Sequence, residues 1–170
     1  MKNTKLITML CLGALIACSP SKKGLEPTSE QVSPRERLIE NLRATPQKGI
    51  MFGHHDDTVY GIGWEFDEGG SDVQKVCGDY PAVISFDLGE IELGGDKSLD
   101  KVPFEKIRKE IINQYNRGGL VSLSWHPRNP KTGGDAWDVS DHAVVKSILP
   151  EGENYEKFQS WLGKVNDFIL

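Results

Sequence analysis

Three short apolar runs, each released into a polar loop and set apart by a stretch with helical spacing, constrain this chain most. Gly49 to Gly53, Ala82 to Asp87 and Leu120 to Trp125 read as strands. Between the second and third, a helix is predicted from about Pro103 to Arg117, with Phe104, Ile107, Ile111 and Tyr115 on one face. Gly118 follows where a left-handed C-cap belongs. A shorter helix, roughly Ser71 to Cys77, separates the first two strands. After the third, Tyr155 to Leu170 places Phe158, Trp161, Leu162, Val165, Phe168 and Ile169 at helical spacing. Strand and helix in alternation imply right-handed crossovers, a parallel sheet and an α/β fold.

Parallel strands share one direction, so the loops that follow them open on one side of the sheet. The first loop is Gly53-His54-His55-Asp56-Asp57, the second runs Asp87-Leu88-Gly89-Glu90-Ile91-Glu92, and the third carries Trp125, His126, Arg128 and Asn129 before reaching Trp137. Pro127 and Pro130 stop helix or sheet from continuing through the third. Such a mixture suits a carbohydrate. Indole faces pack on sugar C–H surfaces, while carboxylates, imidazole and amide bond to hydroxyls.

Composition narrows the partners. Apolar residues make up 38% and charged residues 26% of 170, ordinary for a globular protein. A net charge of −5 with no basic patch gives nucleic acid no electrostatic footprint.

The first residues are an address. Lys2 and Lys5 precede an apolar run from Leu6 to Ala17, too short for a stable span, and the run ends at Cys18. This resembles the bacterial lipoprotein signal, which implies a signal peptide over 1–17, lipid on Cys18 and a location on the cell envelope, membrane-anchored by the acyl chains. Residues 18–33, rich in Ser, Pro, Lys and Glu, read as a flexible tether. Folded sequence then starts at a capping box: Ser33, Pro34 at the first helical position and Glu36, followed by a stripe of Leu38, Ile39 and Leu42. With Cys11 removed and Cys18 modified, Cys77 stands alone and is read as a buried structural thiol.

Taken together, the Gly-His-His-Asp-Asp loop, the Phe86-Asp87-Leu88-Gly89-Glu90-Ile91-Glu92 run and Ser124-Trp125-His126-Pro127-Arg128-Asn129-Pro130 resemble glycoside hydrolase family 26, whose best-known members are endo-β-1,4-mannanases. The resemblance spans 34–170. It implies the N-terminal portion, about three βα units, of a (β/α)8 TIM barrel that cleaves β-1,4 links in mannan with retention and without a cofactor or metal. By the same resemblance His126 contacts sugar next to the cleavage point, Trp137 is an aromatic contact from the long loop, and Glu92 meets sugar further out. His54 and Asn129 are supports or contacts in that cleft, and Glu90 stands where many members have His.

The resemblance also implies what is missing. The family's acid/base Glu follows its fourth strand and its nucleophile Glu its seventh, whereas this sequence stops at Leu170 in the helix before the fourth. Retaining hydrolysis needs two carboxyl groups about 5 to 5.5 Å apart. The 170 residues are therefore predicted to be a truncated, inactive portion, with sheet edges that favour aggregation. Two other readings remain open at this point. A non-catalytic sugar-binding lipoprotein would keep the cleft without the carboxylate pair. A metal-dependent barrel hydrolase would use His54, His55, Asp56, Asp57 and His126, although adjacent histidines on an extended segment point oppositely.

Overall fold

The computed structural model describes residues 32–170. The predicted signal peptide, Cys18 and nearly all of the tether therefore lie outside the described residues. The chain divides into two compact units after Ala44. In the first, α1 (Pro34–Ala44) begins as the capping box requires: Glu36 N–H donates to Ser33 Oγ at 3.2 Å, and Ser33 N–H donates to Glu36 Oε2 at 2.9 Å. Leu38 and Leu42 are exposed on it.

The second unit is built on a three-stranded parallel sheet, β1 (Gly53–His55), β4 (Val83–Asp87) and β5 (Leu120–Ser124), with β4 in the centre. A two-stranded antiparallel hairpin, β2 (Tyr60–Gly61) and β3 (Trp64–Glu65), follows β1. Helices α2 (Asp72–Cys77) and α3 (Phe104–Asn116) come between the sheet strands, and α4 (Val144–Ser147) and α5 (Tyr155–Ile169) come after β5. Among the described residues no helix is long and apolar enough to cross a membrane.

Alternation along β4 divides the sheet into two faces. Ile84 and Phe86, both fully buried, point into a core with Ile107 of α3 and Phe168 of α5, and Leu88 just past the strand joins them. Each such side chain contributes roughly 1.5–3 kcal/mol by leaving water. Ser85 and Asp87 point the other way, paired in register with His55 of β1 and Ser124 of β5 respectively. The apolar face holds the fold together and the polar face is left to carry chemistry.

Several expectations need correction. The first strand is Gly53–His55 rather than Gly49 to Gly53, because pairing in register with β4 begins at Gly53 opposite Val83. Ile50 and Phe52, which suggested the earlier start, are exposed. On α3 Tyr115 is exposed, and the covered face is completed by Glu110 and Gln114. Gln114 reaches back to donate to Pro81 O at 3.0 Å, while Glu110 meets Lys106 Nζ at 3.1 Å, so each buried polar group is satisfied. Cys77 is exposed, since its one-and-a-half-turn helix turns Val76 and Cys77 to solvent. Gly118, at φ 79°, closes α3 as its position implied.

Candidate functional site

The end of β4 sets the geometry. Asp87 is 3% exposed, and its carboxylate accepts from Gly89 N–H at 2.6 Å, from Ser124 Oγ at 2.5 Å and meets His126 Nδ1 at 2.5 Å. Burial alone would push this carboxyl up, but hydrogen bonds from Ser124, His126 and Gly89 together outweigh it and hold Asp87 below its ordinary range. One carboxylate thus ties the loop after β4 to the loop after β5. Its register partner Ser124 lies directly across the ladder, which is why a short hydroxyl suffices to reach it.

His126, fixed through Nδ1, lies face to face with Trp137: the ring centroids are 5.5 Å apart and the planes differ by 8°. Trp137 is 67% exposed, so its indole offers a broad apolar surface beside a polar ring. The loop that brings it there is closed by Asn129. That side chain donates Nδ2–H to Asp138 O at 3.1 Å and accepts from the N–H groups of Lys131 and Thr132 at 3.0 and 3.2 Å. Asn129 is 5% exposed and all its bonds are internal, so it shapes the loop.

Glu92 works beneath this surface. It is 1% exposed; Oε2 accepts from Trp125 Nε1 at 3.0 Å and Oε1 from Arg128 N–H at 2.7 Å. Trp125 in turn stacks on Phe158 of α5 at 5.8 Å. The Arg128 guanidinium, oriented from the same loop, meets Glu90 at 2.5 Å on the half-exposed rim.

Of the residues singled out from sequence, His126 and Trp137 are brought into contact, and Glu92 and Asn129 hold the loops that present them. His54 is not brought to them. It is paired in register with Ile84 and so shares the helix-covered face of the sheet, with Nδ1 2.8 Å from His55 O. Its neighbour His55 occupies the polar face, with Nδ1 2.8 Å from Ser85 Oγ. Sequence reading passed over Asp87 as a site residue and considered His55 only as a ligand in the metal-dependent alternative. The signal available was parity: both lie an even number of positions from Ser85, counted through the β1–β4 register.

Asp56 completes this face. It is 1% exposed, neither carboxylate oxygen has a partner in good hydrogen-bond geometry, and His55 Nε2 stands 3.4 Å from Oδ2. Burial raises its pKa to about 6 against the opposing pull of His55 and of the Tyr60 hydroxyl, with Asp100 and Asp87 adding repulsion.

A clamped histidine and an exposed indole stand at the C-terminal edge of a parallel sheet, the edge at which a (β/α)8 barrel carries its site. The chain belongs to glycosyl hydrolase family 26, whose sequence profile matches residues 27–169. It is 30% identical over 132 residues to a mannan endo-1,4-beta-mannosidase of Bifidobacterium adolescentis, covering 75% of this chain and 13% of that protein. A family 26 β-mannanase structure from Bacteroides ovatus superposes with a TM-score of 0.76 at 62% identity, over 77% of this chain and 38% of the other. The catalytic domain of an endo-beta-1,4-mannanase from Bacillus sp. JAMB-750 gives 0.64 at 29% identity, over 77% and 36%. The 170 residues therefore span well under half of each relative.

Proposed function

We propose that this chain forms the substrate-gripping wall of a retaining endo-β-1,4-mannanase, with His126 and Trp137 in direct contact with the sugar. The observation that carries the reading is the parallel stack of Trp137 on His126, held from behind by Asp87. A pyranose laid on the exposed indole keeps its C–H face dry, while His126 Nε2 points a polar atom at a ring hydroxyl. Glu92 and Asn129 act one step back, through Trp125, Arg128 and the 129–138 loop. The acid/base and nucleophilic carboxylates come from strands other than the three described. Asp87 is no substitute for either, since its oxygens are committed to three internal bonds and its pKa is held low, the reverse of what a general acid needs.

Support comes from the family match and from the similarity to solved mannanases. The reading is completed by lipid on Cys18, which would hold the enzyme on the bacterial envelope where polymeric mannan arrives.

The test has two arms. Isothermal titration of the protein with mannohexaose is expected to show binding that Trp137→Ala weakens, while the 170-residue chain releases no reducing sugar from mannan. Hydrolysis by that chain, or binding indifferent to Trp137→Ala, would overturn the assignment. Metabolic labelling with a fatty-acid analogue, abolished by Cys18→Ala, tests the anchor separately.

A further inference from the structure

Asp56 presents a problem that the sugar site does not solve. A buried carboxylate with neither oxygen in a well-formed hydrogen bond, and only the Tyr60 hydroxyl acting on it, is costly to keep in that state, and these oxygens are sealed from solvent. What stands next to them is a set of ligand atoms. His55 Nε2 is 3.4 Å from Asp56 Oδ2 and 3.8 Å from Asp100 Oδ2, and one atom from each residue falls within 4.8 Å of the other two. The imidazole is already oriented for such use. Nδ1 is 2.8 Å from Ser85 Oγ, and in the tautomer that donates to this hydroxyl the lone pair rests on Nε2, the arrangement a metal-binding histidine adopts when its other nitrogen is fixed by a neighbour.

We propose that His55 Nε2, Asp56 Oδ2 and Asp100 Oδ2 form a binding site for one divalent cation of the zinc class. Bonds of about 2.0–2.2 Å in tetrahedral array need ligand atoms about 3.4 Å apart, which is the His55–Asp56 separation. Asp100, on the more exposed loop, closes inward by roughly an ångström to complete it. Two carboxylates neutralise the ion, and one imidazole favours zinc over calcium or magnesium. Three protein ligands leave a fourth position for water. This set differs from the one that adjacent histidines suggest, because His54 is on the other face and His126 is engaged by Asp87. The ion would pin the loop after β1 to the segment before α3, behind the wall that carries His126. It is a structural cation, independent of mannan binding.

The test uses metal-stripped protein carrying Cys77→Ser, so that the exposed thiol contributes nothing. Equilibrium dialysis against zinc chloride is expected to give one ion per chain. His55→Ala and Asp100→Ala are each expected to lower the affinity at least tenfold, and His54→Ala to leave it unchanged, with circular dichroism confirming that each variant is folded. Cobalt added to the protein with no ligand substitution gives a second readout: the visible absorption of a four-coordinate nitrogen and oxygen site. Substoichiometric zinc, a six-coordinate cobalt spectrum, or equal losses in His54→Ala and His55→Ala would each overturn the proposal, leaving a proton on Asp56 as its only compensation.

Discussion

Removing the carboxylate of Asp87 is the most informative perturbation of the polar face. In Asp87→Ala three donors lose their acceptor at once, but they lose unequal amounts. Gly89 N–H is buried and has no alternative, so it forfeits about 1–3 kcal/mol. Ser124 Oγ has Phe86 O at 3.4 Å as a weak substitute and loses about 1 kcal/mol. The His126 side chain is 49% exposed and can turn to water, so its loss registers as disorder more than as stability. The expected destabilisation is about 2–4 kcal/mol, measured by urea denaturation near neutral pH. Ser124→Ala should cost about 1 kcal/mol by the same assay. The pH dependence supplies an independent check. Because the folded-state pKa of Asp87 is depressed, its contribution is fully present above the unfolded carboxylate range and is lost as pH falls through the folded value. Wild-type and Asp87→Ala stabilities should therefore converge in acid. A cost below about 1 kcal/mol, or a difference that persists unchanged in acid, would refute the view that Asp87 is an ionised clamp.

Other outcomes follow from the same contacts. Trp137→Ala should leave the melting temperature nearly unchanged, since the indole is largely exposed, yet weaken manno-oligosaccharide binding roughly tenfold by calorimetry. Glu92→Ala strands Trp125 Nε1–H and Arg128 N–H, and is expected to cost about 2–4 kcal/mol in denaturant melts and to shift tryptophan emission to the red. Gly89→Ala would drive a methyl into the Leu99 side chain and to 2.7 Å from Asp87 Oδ1, for an expected loss of about 1–3 kcal/mol on thermal denaturation.

How much of this was legible from sequence depended on whether the information is local. β4, β5, α3 and α5 were readable because their apolar periods are long and are imposed by one core. The hairpin was not. Its two-residue strands are held by Asp72, which accepts from Ile62 N–H and Trp64 Nε1 at 2.7 Å each, and neither bond leaves a periodic trace. β1 was placed too early because Ile50 and Phe52 carry strand-like side chains that nothing among the described residues buries. The histidines turn on a separate point. Parity along a strand decides which face a residue serves, and it exchanges His54 for His55 on the polar side. His126 and Trp137 were readable as candidates because they lie on a long polar loop, where chemistry concentrates on any rigid scaffold. That Glu92 and Asn129 turn inward could not be read from residue type, since a carboxylate or an amide suits a sugar hydroxyl and a backbone N–H equally well.

The carboxylates around this edge of the sheet separate by one criterion, the number of internal donors that each has found. Asp87 has three and Glu92 has two through its carboxylate, and both are almost fully buried, so each is satisfied from within. Glu90 has the Arg128 guanidinium and half-exposed surroundings, so it can exchange that partner for a hydroxyl at little cost. Asp56 has none in good geometry, only the Tyr60 hydroxyl acting on it, and among these it alone combines full burial with poorly satisfied oxygens. Satisfied acids fix the shape of a site, whereas unsatisfied ones define what it can still accept. On that criterion the proposed recognition of sugar falls to the groups that the satisfied acids support, His126 and Trp137. The remaining electrostatic demand falls at His55, Asp56 and Asp100, where a cation answers it and a neutral sugar does not.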